Sequence, residues 1–127
     1  MIESLREPYH KLYFKWIDTT MGFGVFADSK INKGETIEVC YCLPANPDDS
    51  FYKNFLFSID DANEDFLSMG FGSIYNHSYD PNMVWKIEDI KLRIIKFIAI
   101  KSIEVGDELT HNYGTKWWEK RKKITLI

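Results

Sequence analysis

Cysteine is nearly absent, with Cys40 and Cys42 the only two in a chain of 127 residues. Two apart on a β-rich stretch, they share a face but have poor geometry for bridging each other, which excludes a disulfide framework. His10, His77 and His111 are the only histidines, and none stands at finger-like spacing, so no metal site is expected. Both cysteines read as small buried hydrophobes. Also missing are a run of about 18 apolar residues to cross a bilayer and the basic, apolar, small-residue order of a secretory signal. The chain is therefore expected to be soluble and intracellular, without a membrane partner.

A strong charge of one sign is lacking too. Sixteen basic against 19 acidic residues leave a net charge of −3. That gives no footprint for phosphate backbones, so no direct nucleic-acid contact is expected and a cationic partner is mildly favoured. What the chain does have is 45% apolar and 16% aromatic residues, enough for one buried core. One domain over residues 1–127 is the reading.

Leu12, Phe14 and Trp16 alternate with Lys11, Tyr13 and Lys15, the period of a half-buried strand. Met21 to Gly24 should turn the chain, with Val25, Phe26 and Ala27 opening a second extended piece. Asn32-Lys33-Gly34 is a turn before Thr36 to Leu43, which is rich in β-formers. Pro44 to Asp49 reads as a loop, and a short helix is expected around Ala62 to Met69. Met83 to Ile87 and Lys91 to Ile98 predict a hairpin about Glu88-Asp89. The fold class is mainly β.

One internal echo recurs in identical spacing: Ala27, Ile31, Gly34, Glu35 and Ile37 return as Ala99, Ile103, Gly106, Asp107 and Leu109. It is either an old duplication of strand, turn and strand or the same turn chemistry reached twice. Two copies make no repeat array.

The densest run of unusual choices is Gly72-Ser73-Ile74-Tyr75-Asn76-His77-Ser78-Tyr79-Asp80-Pro81-Asn82. Asp80-Pro81-Asn82 sets a turn, Gly72 permits close backbone approach, and Asn76 offers amide donors and a carbonyl acceptor. On physical grounds alone the stretch reads as a self-satisfied turn in which Asn76 and His77 bond their own backbone. Its company changes that reading. Asn76-His77-Ser78 with Pro81-Asn82 follows Gly22-Phe23-Gly24-Val25-Phe26 and precedes Glu108-Leu109-Thr110-His111-Asn112-Tyr113-Gly114.

In order and spacing these blocks resemble the signature of the SET-domain protein-lysine methyltransferases, from about Gly22 to Gly114. The compact insert, about 44–70, and the short tail are most similar to the single-domain members encoded by some large DNA viruses. The resemblance implies a β-clip fold of several short sheets with one or two short helices. In it the closing segment, about 115–127, threads beneath a loop as a pseudoknot and brings Asn76 beside Tyr113.

The resemblance further implies an S-adenosylmethionine-dependent lysine N-methyltransferase acting on a basic protein such as a histone tail. The backbone of Gly22, Phe23 and Gly24 would hold the methionine part of the cofactor, Asn76 its amino-acid end and the His77 backbone its adenine. Tyr113 would be the catalytic tyrosine. Phe23 and Phe55 are either walls of the lysine channel or ordinary core. Of Trp117 and Trp118, one would close the site over adenine or substrate and the other could anchor the tail; Trp118 is assigned to the cofactor and Trp117 to the channel.

Two departures bear on function. Where the family has Y-x-G, this chain has Cys40-Tyr41-Cys42, so a usual channel tyrosine is missing. His111 stands two before Tyr113, where many members carry Phe or Tyr, and it belongs to the substrate channel with an open effect on the number of methyls added. Both motivate the alternative of a catalytically impaired, SET-derived module that binds basic peptides. Lys120, Arg121, Lys122 and Lys123 read as a solvated face, and the final Ile124 to Ile127 could add a strand in a homodimer. Asp48, Asp49, Asp60, Asp61, Glu64 and Asp65 read mostly as a solvated acidic loop that could attract a basic peptide. The expected compartment is the cytoplasm, with the nucleus, of a host or its own, as the alternative that a histone substrate implies.

Overall fold

A computed structural model of the chain describes residues 9–46, 53–59 and 65–114. Within them run β1 (Leu12–Asp18), β2 (Gly22–Ala27), β3 (Thr36–Ala45), β4 (Leu56–Phe57) and β5 (Asp65–Ser68). Then come β6 (Asn76–His77), β7 (Met83–Asp89), β8 (Ile94–Ala99) and β9 (Thr110–His111). Among the described residues there is no α-helix, only a 3-10 turn at Lys53–Phe55. No described helix is long and apolar enough to cross a membrane.

β1 and β2 form an antiparallel pair with Trp16 opposite Phe23. The chain turns at residues 19–21, before the expected Met21 to Gly24, because the Asp18 carboxylate accepts the amides of Thr20 at 2.9 Å and Met21 at 2.7 Å. Phe14 and Trp16, on the aromatic face of β1, stay exposed, each meeting Phe23 edge-on with ring centroids 5.4 Å apart.

The main sheet has five antiparallel strands in the order β4-β5-β3-β8-β7. β5 occupies the place of the helix expected around Ala62 to Met69, of which Ala62 to Glu64 lie outside the described residues. Phe66 and Leu67 pair with β3 on one side and β4 on the other, and two ladders of backbone bonds outweigh a local helical preference. Asp65, expected in a solvated acidic loop, is buried at the start of that strand. Its acidic companions lie outside the described residues.

Pro44 and Ala45 extend β3 where a loop was expected. Pairing with β8 ends at Tyr41, so Pro44 has β5 as its strand neighbour and tolerates the missing amide donor. The β7–β8 hairpin is present, but it turns at residues 90–93, later than Glu88-Asp89. The Asp89 carboxylate accepts the Leu92 amide at 2.9 Å, and Arg93 completes the turn at φ 57°.

The internal echo is a reciprocal pairing in space. Ile31 and Ile103 exchange two backbone hydrogen bonds of 2.9 and 2.8 Å. The Gly34 amide donates to the Ala99 carbonyl, and the Gly106 amide donates to that of Ala27, both at 2.8 Å. Side chains follow suit: Glu35 accepts the Asn32 amide and Asp107 that of Glu104. The two copies satisfy each other's turn groups, and Ile31, Ile37, Ile103 and Leu109 enter one core with Val25, Ile95 and Phe97. Burying each such large aliphatic side chain contributes about 1.5–3 kcal/mol.

Candidate functional site

The Asn76 and Tyr113 regions are brought together by a parallel pairing of β6 with β9, Asn76 opposite Thr110 and His77 opposite His111. Asn82 secures it as a backbone clip, its amide donating to the Glu108 carbonyl at 2.7 Å and accepting from the Thr110 amide at 3.0 Å. On the other side Leu109 donates to the Val25 carbonyl at 2.8 Å and Glu108 bridges Phe26. The segment before Tyr113 is thus held between β2 and β6.

Asn76 is oriented by its partners. Its Nδ2 donates to a Glu108 carboxylate oxygen at 2.7 Å and faces the Phe23 carbonyl at 3.3 Å. A carboxylate and a carbonyl only accept, so both donors are spent and Oδ1 is left as an acceptor. Gly24 makes this possible, since a Cβ there would collide with the Glu108 carboxylate and stand 2.7 Å from the tip of Ile17.

Tyr113 is fixed at both ends. Its amide donates to His77 Nδ1 at 3.0 Å, and its hydroxyl donates to the Tyr75 carbonyl at 2.8 Å. With the proton spent on Tyr75, the hydroxyl oxygen keeps lone pairs to accept with. The same side chain borders two cavities. A cleft of about 400 Å³ is lined by Phe14, Met21, Gly22, Phe23 and Asn76 among others. A narrow cavity of about 10 Å³, room for a single water, lies between Phe57, Tyr75 and His111. Phe55 and Tyr113 line both.

His111 forms part of the narrow cavity's wall, stacked on Phe57 at 5.5 Å and tilted against Tyr113 at 4.9 Å. It is buried, and neither ring nitrogen completes a hydrogen bond among the described residues. Burial pushes its pKa down to about 3, only partly offset by the polar backbone of Asn112. The ring is neutral at physiological pH. Desolvation lowers His77 as well, consistent with a neutral ring accepting the Tyr113 amide.

Of the residues singled out from sequence, Gly22, Phe23, Phe55, Asn76, His111 and Tyr113 line these two cavities. Gly24 and His77 line neither: Gly24 makes room for the Glu108–Asn76 pair, and the His77 ring supports the Tyr113 backbone. Trp117 and Trp118 lie outside the described residues. No cluster of metal-ligating side chains occurs among the described residues.

Residues 22–114 match the model of the SET domain. The chain belongs to the SET-domain family. Its fold accordingly is the mainly β SET fold, several small sheets curled into a half-barrel. It resembles the crystal structure of a candidate histone methyltransferase of Plasmodium falciparum with a TM-score of 0.71 and 27% identity, over 90% of this chain and 99% of that one. In fold it also resembles a chain of a humanized Chaetomium thermophilum Polycomb Repressive Complex 2 (TM-score 0.68, 23% identity), over 89% of this chain and 16% of that one. A curated relative, the H3 lysine-37 specific histone-lysine N-methyltransferase of Schizosaccharomyces pombe, is 35% identical over 52 residues, 41% of this chain. The match spans 35% of that relative's length. The SET domain here is thus homologous to lysine methyltransferases.

Three residues of this SET domain's site carry no assignment from sequence: Glu108, Tyr75 and Glu38. Glu108 stands inside the Glu108-to-Gly114 block, but nothing along the chain places its carboxylate beside the Asn76 amide. Tyr75 contributes a backbone carbonyl, which no side-chain pattern announces. Glu38 is a carboxylate on β3, and only the fold shows that it lies on the strand's buried face with Cys40 and Cys42.

Proposed function

We propose that this SET domain transfers a methyl group from S-adenosylmethionine to a lysine side chain of a basic protein such as a histone tail. The observation that carries this reading is Tyr113, which borders a wide cleft and a narrow cavity and has its hydroxyl directed by the Tyr75 carbonyl. The names of the Schizosaccharomyces and Plasmodium relatives support a histone substrate. The short insert supports a compact type akin to the viral single-domain members.

The residues present fit the cofactor. Asn76 Oδ1 is an acceptor without a donor among the described residues, suited to an α-ammonium group. Phe14 and Phe23 give the cleft aromatic walls, which favour a purine face or a cationic centre. When bound, S-adenosylmethionine supplies an activated methyl group that passes to an amine by direct displacement.

The chain's own residues do the rest by positioning. Phe55 and Phe57 desolvate an amine entering the narrow cavity, which lowers its pKa and favours the neutral nucleophile. The Tyr113 oxygen accepts a hydrogen bond from that amine and aims its lone pair toward the wide cleft. His111, neutral and bulky, limits the room beside the amine. The narrow cavity has room for one water-sized group, so the amine displaces its water and sheds its proton to solvent at the rim.

The test is calorimetric titration with S-adenosylhomocysteine, followed by mass spectrometry of histones and other basic proteins, for wild type and Tyr113→Phe. Retained binding with methyl transfer reduced at least about tenfold is expected for the variant. Cofactor binding without modification of any basic protein would favour a peptide-binding module, and no cofactor binding by folded protein would sink the methyltransferase reading.

A further inference from the structure

Glu38 is a carboxylate in the core, 3% exposed, in a place where an unpaired charge would be very costly. It is not unpaired. One oxygen accepts the Tyr75 hydroxyl at 2.7 Å and the other accepts the Phe71 amide at 3.1 Å. These partners are the two ends of one five-residue segment, 71–75, which turns back on itself through an Ile74 amide bond to the Phe71 carbonyl. A single carboxylate on β3 therefore clamps both ends of a loop. Gly70 completes the fit, because a Cβ there would collide with the same carboxylate.

The clamped segment ends on the carbonyl that receives the Tyr113 hydroxyl. Tyr75 thus faces two ways, with its side chain bound to Glu38 and its main chain bound to Tyr113. Its ring is buried against Phe97 at 4.7 Å, so a change in the side-chain anchor is transmitted to the backbone rather than absorbed by a mobile ring. Ser73, in the middle of the segment, donates to the Phe55 carbonyl and accepts the Ser68 amide, both at 3.0 Å. Those bonds tie the loop's centre to the cavity rim but leave its ends to Glu38.

We propose that Glu38 is a positioning residue for the catalytic hydroxyl, clamping residues 71 and 75 so that the Tyr75 carbonyl directs the Tyr113 phenol. Its action on Tyr113 is indirect, through the hydrogen bonds it accepts from Phe71 and Tyr75. A hydrogen-bond clamp rather than a charge is required, so glutamine serves: its carbonyl can accept the Phe71 amide while its NH₂ donates to the Tyr75 oxygen. Leucine, of similar volume, cannot make either bond. This inference rests on the reading of Tyr113 as the catalytic tyrosine for its effect on turnover, but its structural part does not.

The experiment is carbon-13 NMR of the full chain labelled at tyrosine Cζ, with Tyr113 and Tyr75 resonances assigned by Tyr113→Phe and Tyr75→Phe. Glu38→Leu is expected to shift the Tyr113 resonance, and Glu38→Gln to leave it near wild type. Tyr75→Phe, which keeps the carbonyl but unhooks it from Glu38, is expected to shift Tyr113 as well and carries the test should Glu38→Leu fail to fold. A Tyr113 resonance unmoved in every folded variant would overturn the proposal. Where wild type turns over, kcat should fall roughly tenfold to a hundredfold in Glu38→Leu, with KM for S-adenosylmethionine little changed and activity largely restored in Glu38→Gln. A kcat loss as large in Glu38→Gln as in Glu38→Leu would also overturn it. An inactive wild type leaves the resonance test intact, so failure of the methyltransferase reading is distinguishable from failure of the clamp.

Discussion

Glu108 accepts the Asn76 amide at 2.7 Å, and because a carboxylate cannot donate, this one contact decides which end of Asn76 faces the cleft. A side chain left to itself could present either its NH₂ or its oxygen. Here the oxygen is presented, in a site whose backbone neighbours on β2 and β9 were drawn from opposite ends of the sequence.

Removing that constraint should weaken the cofactor site without dismantling the fold. Glu108→Ala frees Asn76 to rotate, and its S-adenosylhomocysteine Kd is expected to rise about 3- to 10-fold, the worth of one hydrogen bond. Gly24→Ala should act in the same direction, since its methyl group displaces the Glu108 carboxylate. Calorimetry on variants with wild-type-like melting checks both, and unchanged affinity would mean the amide is oriented by something else.

His111→Phe should stabilise the protein. The neutral ring leaves two nitrogens without completed hydrogen bonds among the described residues, and a phenyl ring keeps the stacking on Phe57 without that cost, a gain of about 1–3 kcal/mol. The gain should grow with acid. Below the ordinary histidine pKa of 6.5 the unfolded chain takes up a proton that the folded chain refuses until about pH 3. Stability therefore falls as pH drops through that window, by up to about 1.4 kcal/mol per pH unit. Glu38, whose pKa burial raises above 4.5, contributes the opposite slope above that value, and His77 adds to the His111 slope. Denaturant melts of wild type against His111→Phe from pH 7 to pH 4 cancel both, and a pH-independent difference would refute the buried neutral ring.

The paired turns make a third prediction. Gly34 and Gly106 adopt φ of 90° and 91°, and a Cβ on either would meet no atom of the described residues within 4 Å. Gly34→Ala and Gly106→Ala should thus cost backbone strain alone, about 1–2 kcal/mol each, and nearly the same amount in both copies. Unequal losses by thermal melting would show that the two turns are less alike than their hydrogen bonds.

Much of the sheet was legible because β-branched and aromatic residues crowd Thr36 to Leu43 and the arms of the β7–β8 hairpin, where period and propensity agree. Residues 65–68 were not, because their extended form comes from strands on either side rather than from their own composition. The cavity-lining Asn76 and Tyr113 were legible through motif order alone. Gly24 illustrates the limit: a glycine in a motif announces a close approach, but not that the approaching group is a carboxylate from residue 108.

The sequence by itself determined a mainly β chain with two matched turns, the three ordered motif blocks and therefore the SET-domain family. These depend on local spacing and residue type, which are written along the chain. Only the tertiary structure decided that Ile31 and Ile103 complete each other's backbone bonds, that Glu108 orients Asn76, and that Glu38 reaches the Tyr113 hydroxyl through Tyr75. Hydrogen bonds act over about 3 Å, and which groups come that close depends on how distant segments pack.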